Sequence, residues 1–155
     1  MSGRGLARWV IDNFATNDPE VIAQKEGLEL IWMSLPRRYW DILIAEFVVI
    51  RDDLSPAWQR WCLAHCLGHH FMHHGNQFRL REWSNLISAR RVQEAEAEVF
   101  TAWLLMPEDE LQALKNAAGK SLDIWQIAEH FNVPVEMVPF RLGIGENPYL
   151  RSIGW

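Results

Sequence analysis

Five of the six histidines of this chain fall within the ten residues from His65 to His74. The run reads Ala64-His65-Cys66-Leu67-Gly68-His69-His70-Phe71-Met72-His73-His74. His65 and His69 stand four apart, the spacing that puts two imidazoles on one face of a helix and lets both reach one zinc ion. The frame is that of the H-E-x-x-H signature, in which the glutamate serves as general base, but here Cys66 occupies the glutamate's place.

Two histidines on one turn hold a divalent metal weakly, so a usable zinc site needs a third protein ligand and, for catalysis, an open position for water. The best donor lies in Gln93-Glu94-Ala95-Glu96-Ala97-Glu98-Val99-Phe100, where Glu94 and Glu98 share a helical face. Val92, Ala95, Val99 and Trp103 form a separate apolar stripe. Glu94 is read as the third ligand, with Glu96 as the alternative, and Glu98 as the acid that orients a histidine through its other ring nitrogen. His73 shares the ligand face and is read as support behind it. His70 and His74 are read as surface or helix-end residues.

The elements that must position these residues follow from caps and periodicity. Leu6 to Phe14 reads as a helix, and Asn17-Asp18-Pro19 starts a second, Glu20 to Glu26, closed by Gly27. Leu28 to Trp32 alternates as a short strand, followed by Ile42 to Ile44 and Phe47 to Ile50. Ser55-Pro56 is a strong start for the histidine helix, which should stop near Gly75-Asn76. Gln77 to Ala89 shows no clean period and is read as a partly irregular connection. Further helices are expected at Val92 to Leu105, Leu111 to Ala118, Ile124 to Phe131 capped by Ser121, and Val135 to Leu142. The tail from Gly143 to Trp155 is read as a surface wrap.

The 155 residues, 49% hydrophobic and 23% charged, fit one domain, residues 1–155, with a real core. A net charge of −5 argues against general nucleic-acid binding, so no direct nucleic-acid contact is expected. Arg79, Arg81, Arg90 and Arg91 make a locally basic stretch, most simply a solvated loop. Ile124 to Leu142 resembles a DNA-reading helix pair in outline, but Pro139 and its few cations favour packing against the domain. No stretch is long enough for a membrane span, and a cytoplasmic location is expected. Cys62 and Cys66 are expected as thiols rather than a disulfide.

Taken together, these motifs resemble the ImmA/IrrE family of zincin-like, gluzincin-type metallopeptidases. That family pairs an A-H-E-x-G-H-x-x-x-H helix with a later E-x-E-A-N-x-F-A-x-x-L-L-M-P helix. Here the first is Ala64 to His69 followed by His73, and the second runs from Glu94 to Leu104-Leu105-Met106-Pro107, with Glu98 for the asparagine and Thr101 for the second alanine. The likeness extends to the Asp18-Pro19 helix and to the segment from Ile127-Ala128 to Arg141-Leu142. It implies an α+β fold with a small N-terminal twisted sheet, a metal-site helix and a mainly helical C-terminal half. It further implies zinc on His65, His69 and Glu94, and a protein or peptide partner of the helix-turn-helix repressor type.

Cys66 is the departure that touches chemistry. Its side chain is shorter than glutamate's, a free thiol with a pKa of roughly 8.5 is mostly protonated at neutral pH, and a thiolate favours direct zinc ligation. Loss of the base should cost about two to four powers of ten in rate. Cys66 thus reads as an inert side chain in a retired site, as a fourth zinc ligand, or as a thiol whose oxidation changes metal binding. Either a peptidase with impaired or lost turnover or a non-catalytic metal- or protein-binding regulator is expected.

Overall fold

The computed structural model describes residues 1–73, 77–80 and 88–145. The chain opens with two helices, α1 (Gly3–Phe14) and α2 (Pro19–Lys25), each started by a side chain that satisfies an orphan backbone N–H. Ser2 accepts from the Gly5 N–H at 3.2 Å and Asp18 from the Glu20 N–H at 2.9 Å. Gly27, at φ +72°, then turns the chain into the sheet, a conformation in which a Cβ would be strained.

The sheet has four strands, β1 (Glu29–Met33), β2 (Tyr39–Ile44), β3 (Phe47–Arg51) and β4 (Gln77–Leu80), in the order β1-β3-β2-β4. β1 runs parallel to β3, while β2 is antiparallel to both β3 and β4. The pairings Asp41↔Ile50 and Leu43↔Val48 put these four buried residues on one face, toward the helices. Within the partly irregular connection expected over Gln77 to Ala89, residues 81–87 lie outside the described residues, the next helix begins at Ser88, and Gln77–Leu80 form β4. Its four residues are too few to show a period, and pairing with the open edge of β2 decides their conformation.

α3 (Pro56–Met72) starts as the sequence indicates, with Ser55 accepting from the Trp58 N–H at 3.4 Å and Pro56 in the first turn. It ends earlier than expected: His73 is already extended, and its N–H donates to the His69 carbonyl at 2.8 Å. Every residue from Trp61 to His69 is buried, because α3 is covered by β2 and β3 on one side and by α4 (Ser88–Leu105) on another. α4 in turn packs against α1. There Gly3 is required, since a Cβ on it would come within 2.6 Å of the Glu96 carbonyl oxygen.

The C-terminal part is helical: α5 (Glu108–Ala118), a 3₁₀ turn Gly119–Ser121, α6 (Ile124–Phe131), a second 3₁₀ turn Val135–Met137 and α7 (Val138–Leu142). The cap of α6 is Asp123 rather than Ser121. Asp123 and Gln126 exchange side-chain bonds to each other's backbone N–H at 2.9 Å, while the Ser121 hydroxyl donates to the Ala118 carbonyl. The last expected helix is a 3₁₀ turn leading into α7, with Pro139 tolerated in the first turn of α7. Arg141 anchors α7, donating to the Met106 carbonyl and to Glu108, and stacks on the Trp103 ring at 4.2 Å. The expected α+β architecture is thus present, and the α6–α7 unit packs against the domain as its sequence implied. Among the described residues no helix is long and apolar enough to cross a membrane. Cys62 and Cys66 are both buried thiols, not joined in a disulfide. The tail beyond Gly145 lies outside the described residues.

Candidate metal centre

The site is built where α3 and α4 touch. Gly68 permits the approach: a Cβ there would meet the Phe100 ring at 3.0 Å and Ala97 Cα at 3.2 Å, so any larger residue would push the helices apart. Across this seam α4 turns the face that carries Glu94 and Glu98 inward. Glu94 and Glu98 are buried together with Ala97, Phe100 and Thr101, whereas Val92 of the apolar stripe is 52% exposed. The stripe of Val92, Ala95, Val99 and Trp103 is therefore not the core face of α4. The carboxylates can be buried in its stead because each finds donors on α3.

Glu94 faces the histidine pair. Its Oε2 lies 2.9 Å from His65 Nε2, its Oε1 lies 3.2 Å from His69 Nε2, and the two Nε2 atoms are 3.0 Å apart. Four donors placed tetrahedrally about an ion at 2.0–2.1 Å are about 3.3 Å from one another, and these separations, which end on the two oxygens of Glu94, are close to that spacing. Among the described residues, His65, His69 and Glu94 form a buried group able to hold a metal ion. Burial works against the Glu94 carboxylate, but the adjoining His65 and His69 outweigh it and hold its pKa far below the usual range. Burial also lowers the pKa of His69, aided by His65 and His73 and opposed by Glu94, which keeps the ring neutral and free to ligate.

The outward nitrogen of each ring faces a polar neighbour. Glu98 Oε1 sits 3.3 Å from His65 Nδ1, and Glu98 Oε2 accepts from the Trp61 indole N–H at 2.8 Å. His69 Nδ1 lies 2.9 Å from His73 Nδ1, and His73 Nε2 lies 3.1 Å from Glu96 Oε2. With Nδ1–H directed outward on both rings, the two Nε2 lone pairs and a carboxylate converge on one point. A divalent cation relieves that crowding of negative density, so the donor set fits the metal that the resemblance implies. Glu94 joins the pair, while Glu96 is half-exposed and faces His73.

Cys66 stands outside this triangle. It is buried against the sheet, and its thiol donates to Asp41 Oδ1 at 3.4 Å. His70 pairs with Glu26 at 2.8 Å, tying α3 to the end of α2. His74 and Arg81 lie outside the described residues. Trp61, Gly68 and Asp41 also shape the site and were not among the expected site residues. Asp41 carried a signal, since it shares the core-facing parity of Leu43, but a strand begun at Ile42 leaves it out.

The fold and the donor triangle invite comparison with known proteins. Residues 27–143 match the model of a peptidase family described as the IrrE N-terminal-like domain. The chain belongs to the ImmA/IrrE family. The match runs from the turn before β1 to the end of α7, so α1 and the Asp18-Pro19 helix, part of the expected likeness, precede it. The family is one of zincin-like, metal-dependent peptidases, and the matched span contains both motif helices. No curated protein matches the chain.

Proposed function

We propose that this domain holds zinc on His65, His69 and Glu94 and has impaired or lost peptidase turnover, because Cys66 stands where the family places its general base. The observation that carries this reading is the contrast within one helical turn. His65 enters a buried triangle of metal donors, while the next residue turns a thiol toward Asp41. Two imidazoles and a carboxylate are a donor set that zinc accepts, with a fourth position left for water. Zinc held by these residues would supply a lowered pKa for water and polarisation of a scissile carbonyl.

The chain's own residues then have defined tasks. Glu94, kept ionised, offsets the ion's charge, and Glu98 fixes the orientation of His65, itself anchored by Trp61. His73 does the same for His69. The partner is a protein or peptide of the helix-turn-helix repressor type, met in the cytoplasm. A second reading, a non-catalytic regulator that binds such a partner, is favoured by the same Cys66 position.

Metal analysis and hydrolysis of fluorescently labelled casein, run on the wild type and on Cys66→Glu, test the proposal. One zinc per chain and a wild-type rate about 10²- to 10⁴-fold below that of C66E are expected. A wild type as fast as C66E contradicts impaired turnover. Absence of bound zinc contradicts the metal site.

A further inference from the structure

A second surface lies away from the donor triangle. Two concavities, of about 210 and 570 Å³, flank the start of α3, and Asn132, the left-handed cap of α6, lines both. None of His65, His69 and Glu94 lines either one. The smaller is walled by Trp32 and Arg60, the larger by Trp58 and Trp125. Trp125 is 68% exposed and Trp32 43%, although an indole left in water forgoes the gain of burying its apolar area. Tryptophan is also the side chain most enriched among the anchors of protein contacts.

Arg60 is a separate observation at the same place. Its side chain is only 24% exposed, and its Nε is buried with no acceptor among the described residues. Its Nη1 lies 4.0 Å from Asp18 Oδ1, beyond hydrogen-bond reach. That oxygen is already engaged, accepting from the Glu20 N–H at 2.9 Å. Burial lowers the Arg60 pKa against the opposing pull of Asp18, Glu20 and Glu110. The Nε–H has therefore given up water without gaining a protein acceptor.

The surrounding charge decides what can supply that acceptor. Arg60 is one cation facing the three carboxylates of Asp18, Glu20 and Glu110. Glu129 and Glu136, on the wall of the larger concavity, have no ion-pair partner among the described residues. A further anion would be repelled, whereas the carbonyl oxygens of a peptide accept hydrogen bonds without adding charge. The acidic walls then favour basic side chains on that peptide, and the indoles favour its apolar parts.

We infer that the groove running from Trp32 past Arg60 and Asn132 to Trp125 docks an extended basic segment of a protein partner. Backbone carbonyls of the segment accept from the Arg60 guanidinium and the Asn132 amide. Its lysines or arginines lie against Glu20, Glu129 and Glu136, and its apolar groups cover the indoles. The inference depends neither on zinc nor on peptidase turnover.

The test is fluorescence anisotropy of the full chain with a labelled nonapeptide that repeats lysine-proline-leucine, the prolines keeping it extended. Saturable binding is expected, and the analogue with glutamate in place of lysine should bind at least about tenfold more weakly. Trp125→Ala should weaken the lysine peptide by about tenfold or more with zinc content unchanged, because the indole stands largely in solvent and its loss spares the core. Glu129→Gln combined with Glu136→Gln should weaken it by about three- to tenfold and flatten its salt dependence.

Arg60→Met separates hydrogen bonding from charge. Removing a cation from the groove would by charge alone tighten a basic peptide, but loss of the guanidinium donors should weaken it by about threefold or more. Tighter binding by R60M overturns the role given to Arg60. Absence of binding by the lysine peptide, equal binding of the glutamate analogue, or a W125A affinity equal to wild type each overturns the docking site.

Discussion

Helix α3 has two seams, and they have fared differently. Toward α4, Gly68 sets a close approach, His65 and His69 meet Glu94, and Glu98 with Trp61 steadies the ring behind. Every part that metal binding needs is present there. Toward β2, the neighbouring residue is Cys66, and the carboxylate it meets belongs to the sheet. The difference teaches that a helix, which points residue i and residue i+1 about 100° apart, puts the donor triangle and the position of the family's general base on different seams of one turn. A substitution on the β2 side leaves the α4 side intact.

The largest effect should come from restoring the β2 seam. Cys66→Glu is expected to raise peptide hydrolysis by about 10²- to 10⁴-fold at equal zinc content, read in initial rates. On the α4 seam, Glu98→Ala removes the acceptor behind His65 and should weaken zinc by about 10- to 100-fold, measured by competition with a chelator. Trp61→Phe should follow in the same direction with a smaller change. If Glu98→Ala altered turnover without altering zinc affinity, the division between the seams would fail.

Packing comes next in size. Gly68→Ala drives a methyl into Phe100 and Ala97 and should cost about 1–3 kcal/mol in urea unfolding, with zinc affinity falling alongside. Asp123→Ala, at the cap of α6, should cost about 1 kcal/mol and leave zinc affinity untouched.

Acid should also act on the α4 seam. Glu94 is held ionised below the usual carboxylate range, so its contribution is complete above a pH of about 4.3 and is lost as the pH falls through its depressed folded-state value. Burial keeps His69 neutral, so below a pH of about 6.5 the unfolded chain takes up its proton first and the metal-free fold weakens. Both signs agree: stability of the metal-free chain declines from neutral toward acid pH, as urea midpoints at successive pH values would record.

Much of this site was legible in the residues. The histidine spacing and the placement of Glu94 and Glu98 on one face of the later helix come from helical periodicity, which survives folding because it is local. The Ser55-Pro56 and Asp18-Pro19 starts were readable for the same reason. What was missed depends on contacts between distant elements. β4 exists because the edge of β2 pairs with it. The apolar stripe of α4 does not mark its core face, because Val92 faces solvent while Glu94 and Glu98, satisfied from α3, take the interior. Asp41 escaped notice because its meaning lies in its distance from Cys66, twenty-five residues away.

X-ray absorption at the zinc edge of the loaded wild type tests the separation of the two seams most directly. The expected result is a first shell of nitrogen and oxygen at about 2.0–2.2 Å with no sulfur, because Cys66 is turned toward Asp41. A sulfur scatterer at about 2.3 Å would put Cys66 on the metal and contradict that separation.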